Sequence, residues 1–146
     1  MDIYEEAKKL MFRNYQATGG KNICPSWPHY PNWWYLDSCF HAEICAELSR
    51  HYNDPVLMGM AKNELGFLDY QRIDGSIPQM ITGPQHPYRL TQVPLLAQAV
   101  KNMGDPDFTK RILSKVLMFY NYFPSHRDKD EDGLFSIVSS LESRDT

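Results

Sequence analysis

Large aromatic rings and a carboxylate meet at one place in this sequence. Trp33-Trp34-Tyr35-Leu36 runs straight into Asp37, and His41 follows four residues later. Such a set suits a ligand with both apolar C–H faces and hydroxyl edges, as a sugar has: rings give the faces a platform, and carboxylates or amides bond the hydroxyls. The same residues have a plain structural use. Trp33 and Trp34 can pack beneath a loop, and Asp37 can cap the helix that starts there. Spacing by itself leans to that use. His41 shares a helix face with Asp37; it can line a site beside that carboxylate or serve as a buried, hydrogen-bonded structural histidine.

Three other places carry polar groups of interest. Gln71 and Asp74 fall where a helix gives way to a loop, although Asp74-Gly75 is also a common turn signal. Thr91-Gln92 opens an apolar stretch, with Thr91 read as its N-cap. Asp128, Asp130 and Asp132-Gly133 follow the D-x-D-x-D-G spacing in which alternate oxygens converge on calcium. An EF-hand is excluded, because Ser139 stands where its bidentate Glu belongs; Glu142 is near enough to substitute. The alternative is a solvated acidic turn.

These residues need a scaffold, and 146 residues with 42% hydrophobic and 23% charged side chains build one globular domain. A net charge of −3 gives no electrostatic reason to expect nucleic acid or an anionic membrane surface. No apolar run approaches the roughly 20 residues that span a bilayer. The start, Met1-Asp2-Ile3-Tyr4-Glu5-Glu6, reads as a helix with acids in its first turn and not as a signal peptide. An odd set of three cysteines (Cys24, Cys39, Cys45) argues against a disulfide framework and for a reducing, cytoplasmic setting.

Periodicity predicts helices over 2–17, 37–52, 55–70, 92–103 and 106–123, with an aromatic loop at 21–35, a Pro- and Gly-rich loop at 71–89 and a polar tail after 123. In the second helix Phe40, Ile44 and Leu48 recur at i, i+4 and i+8, with small Ala42, Cys45 and Ala46 between. Two segments echo each other. Asp54-Pro55 and Asp105-Pro106 each follow a small-residue apolar helix and open an amphipathic one. Asp serves there as N-cap and Pro as first helical residue. The unit is an αα-hairpin, repeated. Inner helices that are apolar on most sides must be covered on most sides. The fold class expected is therefore all-α: αα-hairpins that either stack as a short solenoid or form part of a larger toroid whose long loops gather at one end.

The ordered loops Trp34-Tyr-Leu-Asp-Ser-Cys-Phe-His41, Gln71-Arg-Ile-Asp-Gly-Ser-Ile-Pro78, Thr91-Gln-Val-Pro-Leu-Leu-Ala97, Asp128-Lys-Asp-Glu-Asp-Gly-Leu134 and Glu142-Ser-Arg-Asp145 resemble, as a set, the (α/α)6-barrel glycoside hydrolases of the mannosylglycerate hydrolase and processing α-glucosidase type. The sequence departs from that pattern at Leu36, where the family has Trp, at Val93, where it has Pro, and at Glu142–Asp145, which is one residue shorter. The resemblance covers the chain from about residue 30 onward and implies roughly the first half of such a barrel, with 1–146 a single, incomplete domain.

It also implies roles. Asp145 is the counterpart of the general acid. Trp34, Tyr35, Asp37, His41, Gln71, Asp74, Gln92 and Glu142 are the candidate substrate contacts, and Asp128, Asp130 and Asp132 a possible calcium site. The implied reaction is inverting hydrolysis of an α-linked glucosyl or mannosyl sugar without a required cofactor. The family's general base lies in the second half of the barrel and has no counterpart here, so a longer chain or second polypeptide would supply it, and uncovered inner faces would favour self-association. The readings from other classes are a non-catalytic carbohydrate-binding module and a helical-repeat scaffold that binds protein.

Overall fold

The computed structural model of the chain describes residues 2–82 and 90–137. Helix α1 spans Ile3–Ala17; the Asp2 carboxylate accepts from the Tyr4 amide at 3.0 Å, and Glu5 and Glu6 occupy the first turn, so negative charge faces the helix's free N–H groups. Helix α2 spans Tyr35–Tyr52, α3 Pro55–Glu64, α4 Leu96–Met103 and α5 Pro106–His126. A 3₁₀ helix continues α3 over Leu65–Tyr70.

The two echoing segments form matched hairpin turns. α2 ends in Asn53 and α4 in Gly104, each left-handed (φ 51° and 69°); Asp54 then caps α3 through the Val56 amide, and Asp105 caps α5 through the Phe108 amide. Pro55 and Pro106 fill first-turn positions, where no N–H is missed. The two turns are cross-linked: Arg50 Nη1 donates to the Met103 carbonyl at 3.0 Å, and Lys62 pairs with Asp105 at 2.6 Å.

α2 lies at the centre, packed on α3 and α4 and more lightly on α1. Its buried side is made of Tyr35, Cys39, Ala42, Cys45, Ala46 and Leu48, whose small members let the neighbouring helices approach closely. Phe40 and Ile44, expected to share a core stripe with Leu48, are instead 48% and 38% exposed. α2 is thus apolar on two sides, and among the described residues only one side is covered.

Three boundaries differ from expectation. α3 stops being α-helical at Glu64, and the chain tightens into the 3₁₀ turn where Gly66 lies under Trp33; a Cβ there would come within 2.9 Å of the indole. α4 starts at Leu96 rather than 92, because Pro94 keeps Val93 out of helical conformation and the Thr91 and Gln92 side chains are engaged elsewhere. α5 runs on through Pro124 to His126. The aromatic loop also contains a strand: β1, Trp33–Trp34, pairs antiparallel with β2, Met80–Ile81, Trp33 opposite Ile81 and Trp34 opposite Met80.

Candidate functional site: the mouth of α2

α2 opens without a side-chain cap. The flanking residue is Trp34, extended at φ −105° and ψ 130°. Asp37 therefore is not the N-cap allowed for in the sequence; it sits inside the first turn, half-buried, where its charge opposes the positive end of the helix. The amides left open are met from distant segments. Tyr35 N donates to the Gln79 carbonyl at 2.9 Å, and Leu36 N donates to Gln92 Oε1 at 3.3 Å. Gln92 is 5% exposed, and with its oxygen held on α2 its NH2 group remains a donor beside Asp37's turn. Thr91 is not an N-cap; its hydroxyl donates to the Ile77 carbonyl and locks the two loops together. Trp34 is half-buried, and its enclosed Nε1–H meets no acceptor among the described residues.

Tyr35 is placed in the core and not on a platform. It is 2% exposed, packs edge-on against Phe67 and Phe119, and its hydroxyl accepts from Leu96 N at 3.1 Å. Burial pushes the phenol well above its ordinary pKa. As first residue of α2 it turns inward to cap α4, so it presents no ring face to a ligand. Trp33 also packs inward, on Phe67 and Tyr70, as the plain structural reading had it.

His41 is 8% exposed, and its Nδ1 lies 3.5 Å from Oε2 of Glu64. Glu64, fully buried at the end of α3, accepts from Ile23 N through Oε1 at 2.6 Å. The sequence reading passed over Glu64. A signal was present: Leu57, Met60, Ala61 and Glu64 fall on one helical stripe, with a carboxylate in an otherwise apolar register. Around it lie all three cysteines, free and buried. Burial raises their thiols, those of Cys39 and Cys45 to about 12, with the Glu64 charge a smaller contribution to each and Glu43 a larger one than Glu64 at Cys39.

Gln71 is fastened to α5, and Asp74 to its own turn. Gln71 Nε2 donates to the carbonyls of Gly75 (3.0 Å) and Lys115 (2.8 Å), which engages both amide hydrogens. Asp74 Oδ1 accepts from Ser76 N at 2.9 Å and from Ser76 Oγ at 2.7 Å, a side-chain turn. Partial burial would raise this carboxyl, but the two Ser76 bonds, helped by His126 and Arg72, hold it below the usual range. Gly75 (φ 93°) is pressed on the Met118 carbonyl, 2.3 Å from where a Cβ would be. The structure thus joins Gln92 to the turn of Trp34 and Asp37, and sets Gln71 and Asp74 on the α5 side of the same loop.

Asp128, Asp130 and Asp132 bring one carboxylate oxygen each within 4.8 Å of the others. A calcium ion, which takes oxygens at about 2.3–2.6 Å, spans such a cluster. Two of the carboxylates also serve their own turn: Asp128 Oδ2 accepts from Gly133 N at 3.2 Å and Asp132 Oδ1 from Leu134 N at 2.8 Å. Asp130 and Asp132 are exposed. Glu142 and Asp145, the substrate contact and general acid implied by resemblance, lie outside the described residues, as does Ser139.

Comparison with known proteins agrees with this architecture. The structure superimposes on a crystal structure of the GH63 mannosylglycerate hydrolase from Thermus thermophilus in complex with Tris and D-glycerate, with a TM-score of 0.78 and 24% identity over 97% of this chain and 37% of that one. A second T. thermophilus structure, of an uncharacterized conserved protein, gives 0.77 and 24% over 97% and 38%, and the hydrolase with Tris gives 0.73 and 25% over 97% and 37%. The chain thus spans just over a third of the length of each. No curated protein matches its sequence. The all-α expectation holds, and the hairpins are those of a GH63-type helical toroid. The model of the mannosylglycerate hydrolase MGH1-like glycoside hydrolase domain matches residues 30–144, from the end of the aromatic loop to the residue before Asp145, and the chain belongs to that family.

Proposed function

We propose that this domain takes part in the hydrolysis of an α-linked mannosyl or glucosyl glycoside with inversion, and that the mouth of α2 is a sugar subsite. The observation that carries the reading is the bond from Leu36 N to Gln92 Oε1. It draws a distant amide to the turn that holds Trp34 and Asp37, so that a ring, a carboxylate and an NH2 donor stand together within the family match. Trp34 would stack on an apolar sugar face, while Asp37 accepts from a hydroxyl and Gln92 donates to one. Tyr35 has no part in this.

In the reaction, Asp145 would protonate the glycosidic oxygen as the bond to the anomeric carbon breaks. A second carboxylate, about 6.5–9.5 Å away, would take a proton from the water attacking the opposite face. The motifs in this chain hold a counterpart for the acid and none for the base, so the base is proposed to come from the remainder of the toroid, on the same polypeptide or another. Calcium at Asp128, Asp130 and Asp132 would brace the loop leading to Asp145 and is not required for the chemistry.

Mannosylglycerate, named in the family description, is the first substrate to try. The protein purified from its own cell, mixed with α-mannosylglycerate and followed by proton NMR, should release β-mannose as the first-formed anomer. First-formed α-mannose would overturn inversion. Neither release nor binding of any α-mannoside or α-glucoside would overturn the hydrolase reading.

A further inference from the structure

The pairing of His41 with Glu64 has a consequence for which atom His41 offers to a ligand. Glu64 has no exposed surface; one oxygen is committed to the Ile23 amide at 2.6 Å, and the other faces His41 Nδ1 at 3.5 Å. Among the described residues His41 is the only basic group within ion-pair range of this carboxylate. The thiols of Cys24, Cys39 and Cys45 surround it as neutral groups. Both Nδ1 and Oε2 are enclosed, and neither makes a hydrogen bond among the described residues, so each is the other's nearest polar group of opposite character at 3.5 Å. A buried carboxylate facing a buried ring nitrogen is met best when that nitrogen carries a hydrogen. His41 also stands one turn after Asp37, and side chains on a helix lean toward its N-terminus. The ring therefore reaches back toward the mouth of α2, and the 10% of the side chain that stays exposed belongs to the part away from the enclosed Nδ1.

We infer that Glu64 is a positioning residue that holds His41 as the Nδ1–H tautomer, so that Nε2 is presented at the α2 mouth as an acceptor for a ligand hydroxyl. The identity of that ligand as a sugar rests on the function proposed above; the tautomer does not. An acceptor here complements the donor that Gln92 offers on the first turn of the same helix.

The test is long-range proton–nitrogen NMR on protein labelled at its histidines, at pH 7.5, with the His41 signals assigned from a His41→Asn variant. The expected result is a protonated Nδ1 and an unprotonated Nε2. Glu64→Gln then makes a sharp demand. The Ile23 amide will keep the new side chain's oxygen, its NH2 will face Nδ1, and Nδ1 must become the acceptor. The proton moves to Nε2 and the two nitrogen shifts exchange. A wild-type His41 found as the Nε2–H tautomer or as the imidazolium overturns the inference, and so does a folded Glu64→Gln protein in which nothing exchanges. Should Glu64→Gln fail to fold, the wild-type tautomer still decides. Adding α-mannosylglycerate separates the two proposals. A shift at Nε2 with Nδ1 unmoved supports both; the expected tautomer with no response supports the Glu64–His41 assignment and overturns the sugar as its ligand.

Discussion

The mouth of α2 and the acidic loop at 128–133 both look like sites in the sequence, and they are built in opposite ways. At the mouth, the polar contacts come from places distant in the chain: Leu36 is bonded by Gln92, Tyr35 by Gln79 and Leu96, and His41 faces Glu64. In the acidic loop, Asp128 and Asp132 hold amides two to five residues away. The mouth is largely buried and fixed by contacts between distant segments. The loop is exposed and self-sufficient, and its carboxylates have a use whether or not a cation arrives. Density of long-range bonds, more than density of charge, is what a pre-organised site would need, and it sets the mouth apart from a well-formed turn.

That contrast makes predictions of graded size. The largest effect belongs to Glu64→Ala. It leaves the Ile23 amide and the His41 ring unpartnered in a sealed interior, and removing one member of a buried pair costs about 3–5 kcal/mol. Urea denaturation should show it, and a loss below about 1 kcal/mol would place Glu64 with the surface carboxylates. Tyr35→Phe comes next. It strips the acceptor from Leu96 N while keeping the ring packing on Phe67 and Phe119, at about 1–3 kcal/mol for the buried amide left open; an unchanged midpoint would mean the phenol is idle.

Calcium sharpens the comparison from the other side. Millimolar calcium chloride, against EDTA, should raise the melting temperature by no more than about 1–3 °C, as weak sites of this kind bind near 10⁻⁴–10⁻³ M. A larger rise that Asp130→Asn abolishes would make the loop a built cation site. The smallest effect is at Asp74. Its carboxyl is held low in the folded protein, so its contribution is present above the ordinary carboxylate pKa and is lost as the pH falls through the folded value. Asp74→Asn should destabilise by a few tenths of a kcal/mol at neutral pH, since the group is exposed, and by nothing once the wild-type carboxyl is protonated. A difference that grows in acid would have the wrong sign.

Much of the architecture was legible because it is local. The Asp54-Pro55 and Asp105-Pro106 turns declare their caps and first helical residues in four or five letters, and the structure forms both hairpins there. What escaped was non-local. β1 exists only because Met80 and Ile81 arrive to pair with it. The start of α4 moved to Leu96 because Thr91 and Gln92, read as helix-opening residues, bond Ile77 and Leu36 instead. Phe40 and Ile44, apolar and correctly spaced, are exposed because periodicity says that a face is apolar and not which element covers it. At the site, composition could point to the aromatic–carboxylate junction. It could not say that of three successive rings Tyr35 caps α4, Trp33 packs on the 3₁₀ turn, and Trp34 is left at the mouth of α2 with an unbonded N–H.

The most direct test of the α2 mouth as a sugar subsite is calorimetric titration of the protein with α-mannosylglycerate, repeated on Trp34→Ala and Asp37→Asn. The expected result is saturable binding that each substitution weakens about tenfold or more, equivalent to at least about 1.4 kcal/mol, with the fold intact. Binding of equal strength in all three proteins would place the sugar elsewhere and contradict the assignment.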